Sequence, residues 1–401
     1  MPSSKTFLCI TCDFKGSEFI NALKSLGHTV YLVTSESTRD KPWPYESIEE
    51  AFYMPEADGR RWNMDHLIKG VAHIFRLNRV DKIIALDDYD VWKASSLREE
   101  FRSPGMGQTT ARHFYDKLAM RMIAEDNGIR IPGYSDLFND DTIHRFLDAS
   151  PGPWVVKPRM DAGALGIRKL KTADDFWAWN EDHREERHRY LIEEFKPGAV
   201  YHVDSLFQDY KSLFTRSSKY LQPPFEIAHE GGLFRSQTID AKDKESKELK
   251  KFNDKLLKAF KLNFGASHSE FIRCDEDDQF YFLETSARVG GAHLADMVEA
   301  ASGINLWEEW AKLESSMLTG EKYNAPKESY DNAGILVTLS RHENPDYQEF
   351  KNDPYLWWTM NKSYHVGFIF KDGDTGLIKK KLDDYAQVVN EKFHTSVPLK
   401  E

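Results

Sequence analysis

Hydrophobic and polar positions follow a regular rhythm along the first hundred residues of this chain. Short apolar runs with strand character alternate with stretches of helical periodicity. The predicted strands are residues 6–11, 29–34, 51–54 and 82–86, and the predicted helices are residues 17–26 and 64–78. This order predicts a parallel sheet with helices on its faces, and such sheets bind ligands at the carboxyl ends of their strands.

An acidic cluster, Asp87, Asp88 and Asp90, follows the last of these strands. Its position at a carboxyl end suits a contact with a cationic group, and its composition also suits the cap of a solvated helix. The dinucleotide fingerprint Gly-x-Gly-x-x-Gly is absent after the first strand, so the sequence does not support dinucleotide binding.

The rest of the chain mixes strands and helices. A breaker-rich link at residues 103–107 precedes a predicted helix over residues 110–127. Further strands are predicted over residues 190–198, where Pro-Gly ends the run, and over residues 200–207. The segment 330–401 is predicted to form a small α/β unit with strands at 334–339 and 365–370 and a helix at 377–393.

A glycine-rich turn joins two short β runs between Lys157 and Leu170. Gly163 and Gly166 allow positive φ there and let backbone N–H groups approach phosphate oxygens. No Gly-Lys-Ser/Thr follows, so the turn is not a Walker P-loop. Phosphate binding and an ordinary hairpin both remain open from these residues alone.

Two predicted strands around an acidic turn carry carboxylates where a buried face should be apolar. If an odd-length turn centred on Asp277 joins them, Glu270 lies opposite Glu284 and His268 lies opposite Ser286. Period-two alternation also places four residues of the second strand on one side: Phe280, Phe282, Glu284 and Ser286. Two opposed carboxylates repel unless a proton or cation lies between them, and Mg²⁺ is held by such oxygens. A solvated hairpin with surface acids is the alternative.

Composition narrows the classes of function. The net charge of −11 argues against non-specific binding to nucleic acid, and no apolar run approaches the roughly 20 residues that span a bilayer. The amino-terminal apolar run is too short for a signal peptide, so we expect a cytoplasmic protein. Cys9 and Cys12 have redox spacing, but Cys9 lies inside a predicted strand, which disfavours that role.

The order of the motifs resembles the ATP-grasp superfamily across roughly residues 1–320. The matching motifs, in chain order, are Asp116-Lys117 before Gly-Ile-Arg-Ile-Pro132, Val-Val-Lys157-Pro with its glycine turn, Ile-Glu193-Glu194-Phe195 with Pro-Gly, Glu270, and Glu284-Thr-Ser-Ala-Arg288 with Gly290-Gly291. The ending, from His268 to His293, looks most like the amino-acid ligase branch, which includes bacterial dipeptide ligases and carnosine synthase.

The resemblance implies an α/β protein with the ATP-grasp fold. Its expected parts are a Rossmann-like domain at residues 1–108, an ATP-grasp domain at 109–318 with a mobile lid at about 135–194, and a closing α/β subdomain at 319–401. The implied activity is ligation of a carboxylate to an amine through an acyl phosphate, with release of ADP and phosphate. The implied cofactors are ATP and one or two Mg²⁺ ions, for which Mn²⁺ can substitute.

The resemblance also assigns roles residue by residue. The expected ATP contacts are Lys117 and Lys157 on the phosphates, Asp161, Gly163 and Gly166 in the lid turn, Glu193, Glu194 and Phe195 at adenine, and His202 at the ribose. The expected metal ligands are Glu270, Glu284 and Ser286, and Arg288 neutralises the transferring phosphoryl group. The expected substrate contacts are Asp204, Tyr220, Gly290 and Gly291, with His268 and His293 recognising a carboxylate or taking the proton of the amine.

Two positions depart from the family pattern. Ser286 stands where an asparagine is usual, and its hydroxyl is a poorer metal ligand than an amide oxygen. Val200 stands where a glutamate is usual after the hinge. His202 and Asp204 are then candidates for the ribose, and a buried histidine–aspartate pair is the alternative.

Three readings compete with an amino-acid ligase. A carboxylase of the same superfamily would act on bicarbonate and need a separate carrier. A ligase acting on a peptide or protein would use the same chemistry, and a nucleotide-binding module would have lost catalysis. We expect small-molecule carboxylate and amine substrates, no nucleic acid and no membrane partner, and a homodimer remains open.

Overall fold

The computed structural model describes residues 4–56, 62–161, 163 and 166–395, without the side chains of residues 228–230. Its first unit is a four-stranded parallel sheet in the order β3-β2-β1-β4. The strands are β1 (Thr6–Thr11), β2 (Thr29–Ser35), β3 (Glu50–Met54) and β4 (Lys82–Ala85), and the helices are α1 (Ser17–Ser25), α2 (Met64–Leu77) and α3 (Asp88–Glu100). The predicted parallel sheet is confirmed.

The link to the second unit differs from the single helix predicted over residues 110–127. It forms α4 (Gln108–Ala111), a 3-10 turn and α5 (Lys117–Asp126). The helix is interrupted because Asp116 caps α5, accepting a hydrogen bond from the Leu118 N–H while Arg159 pairs with its carboxylate at 2.6 Å. Lys117 therefore heads a helix and does not lie within one.

The second unit has a sheet of its own between residues 134 and 194. Its elements are β5 (Tyr134–Asp136), α6 (Asp140–Ala149), β6 (Trp154–Pro158), β7 (Arg168–Leu170), α7 (Ala173–Asp182) and β8 (Tyr190–Glu194), with the strand order β5-β8-β6-β7. The predicted hairpin on either side of the glycine turn is confirmed, since Trp154 pairs with Leu170. This sheet spans the segment expected to be a lid, and the mobility of that segment stays a prediction.

The third unit is an eight-stranded sheet in the order β13-β12-β9-β10-β11-β14-β16-β15. Its strands are β9 (Gly198–Gln208), β10 (Lys211–Tyr220), β11 (Phe234–Thr238), β12 (Phe264–Cys274), β13 (Phe280–Ser286), β14 (Asn332–Leu339), β15 (Leu356–Thr359) and β16 (His365–Asp372). Its helices are α8 (Pro224–Glu230), α9 (Lys244–Ala259), α10 (Leu294–Ser302), α11 (Leu306–Thr319) and α12 (Thr375–Lys392). Because β11 pairs with β14, the predicted boundary at residue 319 does not separate two sheets.

One apolar core joins the first unit to the third. Phe19 of α1 packs on Trp310 of α11 with ring centres 4.8 Å apart, and residues of β1 and β12 belong to the same cluster. This contact brings the carboxyl end of β4 close to the end of β13.

Both Cys9 and Cys12 are buried, and burial raises the pKa of each thiol, which opposes a redox role. No helix within the described residues has the length and apolar character needed to cross a bilayer.

Candidate active site

The hairpin of β12 and β13 has the register expected from the sequence. Glu270 lies opposite Glu284, and His268 lies opposite Ser286. Both predictions of pairing are confirmed.

The hairpin reaches this register through a β-bulge and not through an odd-length turn. Phe271 pairs with Phe282, so Leu283 is the extra residue before Glu284. Phe282 consequently faces the core with Phe271, whereas Glu284 faces a cavity. The prediction that one face carries four residues is therefore wrong, because the bulge separates Phe280 and Phe282 from Glu284 and Ser286.

The opposed carboxylates line a cavity of about 320 Å³ to which all three units contribute. Polar and charged residues in its wall include Asp88, Lys117, Lys157, Tyr220, His268, Glu270, Glu284, Ser286 and Arg288. A cleft of about 880 Å³ adjoins it on the side of β8 and shares Lys157, Val200 and Tyr220 with it. The cleft is also lined by the segment 193–199. One continuous depression therefore joins the expected adenine, phosphate and metal residues.

Lys117 contacts two groups of this depression. Its Nζ lies 2.8 Å from Glu284 Oε2 and donates a hydrogen bond to the Asp161 carbonyl at 2.6 Å. Burial by itself lowers the pKa of Lys117, but the charge of Glu284 outweighs burial and raises it. Lys117 is therefore held as an ammonium group against Glu284 of β13.

Lys157 belongs to a buried charge cluster with Glu193 and Arg121. Lys157 Nζ lies 2.6 Å from Glu193 Oε2, and Arg121 Nε lies 2.5 Å from Glu193 Oε1. Burial lowers the pKa of Lys157 to about 8, because its counter-ion Glu193 is shared with the Arg121 guanidinium and compensates the burial only in part. The side chain of Glu193 is thus an internal counter-ion. Sequence reasoning missed Arg121, whose signal is its position one helical turn after Lys117.

The hinge after β8 offers fewer free backbone groups than expected. The Glu194 N–H donates to the Gly133 carbonyl at 2.8 Å, and the Phe195 N–H donates to the Pro153 carbonyl at 3.0 Å. Lys169 lies over the Phe195 ring, 3.4 Å from its centre. These two N–H groups are therefore occupied, and the expectation that the backbone of residues 193–195 meets adenine stays a prediction that concerns the other backbone groups of the hinge.

Glu270 is held by two neighbours on the cavity wall. The Tyr220 hydroxyl donates to Glu270 Oε1 at 2.8 Å, and His268 Nε2 lies 3.7 Å from the same oxygen. Burial tends to raise the pKa of Glu270, but His268 and Tyr220 outweigh it and lower that pKa. Glu270 is therefore a carboxylate at neutral pH, as a metal ligand has to be.

Behind Glu270, Asp204 bridges two histidines. Its carboxylate oxygens lie 2.9 Å from His202 Nδ1 and 2.9 Å from His268 Nδ1, and His202 Nε2 lies 2.8 Å from Ser236 Oγ. His202 and Asp204 are fully buried, so the prediction that they contact the ribose or a substrate is wrong. The alternative of a buried histidine–aspartate pair is confirmed. Despite burial, Asp204 raises the pKa of His268 to about 9.

Asp88 joins the amino-terminal unit to the end of β13. Its carboxylate accepts hydrogen bonds from the Ser286 hydroxyl and from the Arg288 guanidinium. Burial by itself raises the pKa of Asp88, but Arg288 outweighs it and lowers that pKa. The neighbouring Asp87 pairs with Lys15 at 2.7 Å. A contact of the acidic cluster with cationic groups, one of the two possibilities left open by the sequence, is confirmed, and Asp87 also caps α3. The contact of Ser286 with Asp88 was not predicted.

The two glycines after Arg288 have different surroundings. A Cβ at Gly290 would lie 2.7 Å from Asp204 Oδ1 and 3.0 Å from His268 Nδ1, whereas one at Gly291 would meet nothing within 4 Å. The histidine–aspartate array therefore leaves no room for a side chain at residue 290. Of the two glycines, only Gly291 lines the cavity. The expected substrate contact of Gly290 is corrected on this ground.

His293 lies away from the cavity wall. Its Nδ1 is 3.1 Å from Asp296 Oδ2, and its ring packs on Trp358 with centres 4.7 Å apart. The structure therefore gives no support to a catalytic role for His293.

In the lid turn, Gly163 and Gly166 have φ of 74° and 69°, as the turn requires.

No model of a known protein family matches the chain. Among curated proteins, an L-arginine-specific L-amino acid ligase from Bacillus subtilis is 26% identical over 245 residues, which are 59% of this chain and 58% of that protein. The match therefore spans less than two thirds of the relative's own length.

Solved structures are similar over nearly the whole chain. An L-amino acid ligase from Bacillus licheniformis has a TM-score of 0.75 at 16% identity and covers 100% of both chains. A phosphoribosylglycinamide synthetase from Anaerococcus prevotii has a TM-score of 0.68 at 18% identity, covering 99% of this chain and 100% of its own. An N5-carboxyaminoimidazole synthetase from Staphylococcus aureus in complex with ADP has a TM-score of 0.71 at 14% identity, covering 96% and 98%.

These likenesses establish the fold that the order of motifs implied. The chain has an ATP-grasp fold, and 245 of its residues are similar in sequence to an L-arginine-specific L-amino acid ligase. The predicted fold class and the resemblance to the amino-acid ligase branch are both confirmed.

Proposed function

We propose that this protein is an ATP-dependent ligase that acts on amino acids, joins a carboxylate to an amine, and releases ADP and phosphate. The observation that carries the proposal is the single depression that brings together Lys117, Lys157, Arg288 and the opposed pair Glu270 and Glu284. Similarity to amino-acid ligases supports the same reading.

The residues present fit a divalent cation. Glu270 and Glu284 face each other across a strand pair and both line the cavity, and carboxylate oxygens are the ligands that Mg²⁺ prefers. Mg²⁺ bound there would neutralise charge on the phosphates of ATP. Ser286 lies on the same face, but its hydroxyl is engaged by Asp88, so we place it beside the metal carboxylates and not among them.

In the first step, an oxygen of the substrate carboxylate attacks the γ-phosphorus of ATP. The bond from that phosphorus to the bridging oxygen breaks, and the products are an acyl phosphate and ADP. The protein contributes position and charge, because there is little covalent chemistry for it to perform. Lys117 and Lys157 hold phosphate oxygens, and Arg288 neutralises the charge that spreads over the transferred group.

In the second step, the amine nitrogen attacks the acyl carbon. The bond from carbon to the phosphate oxygen breaks, and the nitrogen gives up one proton, which leaves with the phosphate as the amide forms. His268 is an unsuitable acceptor of that proton, because Asp204 raises its pKa to about 9 and keeps it cationic. We assign His268 to holding Glu270. Closure of the segment 135–194 would keep water from the labile acyl phosphate.

The test is product analysis with ATP, Mg²⁺ and a matrix of L-amino acids. We expect ADP and phosphate in equal amounts with the amide, and a hydroxamate when hydroxylamine replaces the amine. A Glu284→Gln variant serves as the inactive control. Release of pyrophosphate, or turnover that needs only bicarbonate, would contradict the proposal.

A further inference from the structure

A second cavity, of about 410 Å³, lies between the first and third units and is called the seam cavity below. Residues of β4, α3, the link after α3, β12 and α11 line it. We propose that the seam cavity is a second ligand site, which binds a small organic carboxylate and transmits its occupancy to the reaction cavity. Its volume lies within the range of roughly 300–1,000 Å³ that is typical of small-molecule sites.

The wall of the seam cavity carries two cations that form no ion pair with a carboxylate of the described residues. Arg98 is 8% exposed, and its guanidinium donates to main-chain oxygens, those of Ile83 and Met106. Burial lowers the pKa of Arg98 to about 10, which leaves the group charged at neutral pH. Lys261 is exposed and lines the same cavity. The wall therefore offers positive charge to a ligand.

The carboxylate of this wall, Glu314, is already engaged through both of its oxygens. Its Oε2 accepts a hydrogen bond from Lys82, and its Oε1 accepts one from Trp310 Nε1 at 2.8 Å. Lys82 and Glu314 therefore cancel as an ion pair, and the charges of Arg98 and Lys261 remain. A ligand carboxylate would supply the partner that a shielded cation lacks.

The remainder of the wall decides between an inorganic and an organic anion, because much of it is apolar. The larger apolar side chains of the wall are Ile84, Val91, Met106, Phe264, Trp310 and Met317. An inorganic anion would leave this surface in contact with water, whereas the carbon skeleton of an organic acid would cover it. The occupant that satisfies both parts of the wall is therefore a carboxylate on a short apolar body.

The seam cavity and the reaction cavity have two elements in common. Ala287 lines the seam cavity, whereas its neighbours Ser286 and Arg288 line the reaction cavity. Helix α3 also contacts both, since Asp88 at its start lines the reaction cavity and Arg98 near its end lines the seam cavity. A ligand in the seam cavity would thus contact both elements that form the ion pair of Asp88 and Arg288. Such contacts let one site bias the other.

The test of binding uses hydrocinnamate as the probe and hydrocinnamide, its uncharged analogue, as the matched control. In calorimetry with the wild-type protein, we expect the acid to bind on the order of tenfold more tightly than the amide, because only the acid pairs with the cations. Lys261→Asn should weaken binding of the acid by about two- to fivefold and leave binding of the amide unchanged. Asparagine suits this position, since Lys261 has a φ of 63°.

A second variant controls for the loss of charge alone. Lys258→Gln removes a nearby exposed charge that does not line the seam cavity, and it should change neither affinity. Lys261 does not line the reaction cavity, so binding there is insensitive to its replacement. Equal affinities for acid and amide, or equal binding of the acid by the wild type and by Lys261→Asn, would overturn the site.

The coupling is tested by ADP formation with ATP, Mg²⁺ and amino acids, and this part alone rests on the proposed function. We expect hydrocinnamate to change the wild-type rate by about fivefold or more, and hydrocinnamide to leave it unchanged. Lys261→Asn should keep the rate measured without the acid and should need a concentration about two- to fivefold higher for the half-maximal change.

The outcomes separate the two claims. A rate that hydrocinnamate leaves unchanged after binding has been measured, or a half-maximal concentration that is the same in both proteins, would overturn the coupling. Absence of ADP formation from every amino acid would instead overturn the proposed function, while the calorimetric comparison would still decide the site.

Discussion

Lys117 Nζ and Glu284 Oε2 lie 2.8 Å apart, so an ion pair ties the head of α5 to the strand β13. A phosphate competes with Glu284 for the ammonium group, and a divalent cation competes with Lys117 for the carboxylate. Binding of nucleotide and metal should therefore be coupled, since each ligand releases the residue that the other one needs.

Lys117→Met should separate these two binding events. Without the ammonium group, Glu284 loses its competitor, and Mn²⁺ should bind about tenfold more tightly when nucleotide is absent. ATP should bind more weakly, because one phosphate contact is lost. Electron paramagnetic resonance of free Mn²⁺ and calorimetry with ATP measure the two affinities. Unchanged Mn²⁺ binding would show that the ion pair does not restrain Glu284.

Arg288→Ala should lower turnover by roughly 10²–10³, the usual effect of removing one preorganised charge-stabilising donor. It should also destabilise the fold, because Asp88 loses its counter-ion in a shielded position. The double variant Asp88→Asn with Arg288→Ala should recover stability but not turnover. Thermal unfolding and steady-state rates are measured for the wild type, the two single variants and the double variant. Recovery of turnover in the double variant would contradict a catalytic Arg288.

The lowered pKa of Lys157 predicts a pH dependence of ATP binding. Burial brings that pKa to about 8, so the ammonium group loses its proton as the pH rises through 8 and phosphate affinity should fall. Lys157→Arg keeps its charge and should show no such loss. Calorimetry between about pH 7 and pH 9 distinguishes the two proteins, and identical profiles would assign the titration to another group.

The lowered pKa of Lys157 also predicts a pH dependence of stability. Stability should rise with pH, whereas ATP affinity should fall. Between pH 8 and the ordinary lysine pKa of 10.5, the unfolded chain binds a proton at Lys157 that the folded protein does not hold. The free energy of unfolding contributed by this residue should therefore rise with pH across that window. Chemical denaturation of the wild type and of Lys157→Met at both ends of this pH window tests the prediction. An equal change of the unfolding free energy with pH in the two proteins would refute it.

Much of the fold was readable from the sequence, because apolar periodicity reports which residues are buried. The four parallel strands followed from the order of apolar runs and helical stretches, and the pairing of Glu270 with Glu284 followed from an assumed turn centred on Asp277. The bulge at Leu283 did not, since a bulge adds one residue without changing the polarity pattern. The two phenylalanines before it consequently point to the other face of the sheet.

Contacts between distant segments were the part of the site that the sequence did not predict. Asp88 and Arg288 are separated by 200 residues, and no local pattern encodes their meeting. The same holds for Arg121, which shares Glu193 with Lys157 inside a buried cluster. The order of motifs supplied the candidates for the phosphate and metal residues, whereas packing between units decides their partners.

Two adjacent glycines provide a matched pair for the histidine–aspartate array. Gly290→Ala would place a Cβ 2.7 Å from Asp204 Oδ1, and the array has little room to move because Asp204 is fully buried. We expect a loss of about 1–3 kcal/mol in the free energy of unfolding, as for other overpacked interiors. Gly291→Ala has open space and should change stability little. Equal effects of the two variants would show that the array tolerates displacement.

The proposed reaction requires that a carboxylate oxygen of one substrate attack the γ-phosphoryl group of ATP. The most direct measurement uses an amino acid whose carboxylate carries heavy oxygen, with ATP, Mg²⁺ and an acceptor amine, followed by mass analysis of the phosphate released. An acyl phosphate requires that one labelled oxygen leave with the phosphate for every amide formed. Unlabelled phosphate, or label recovered in AMP, would contradict the account.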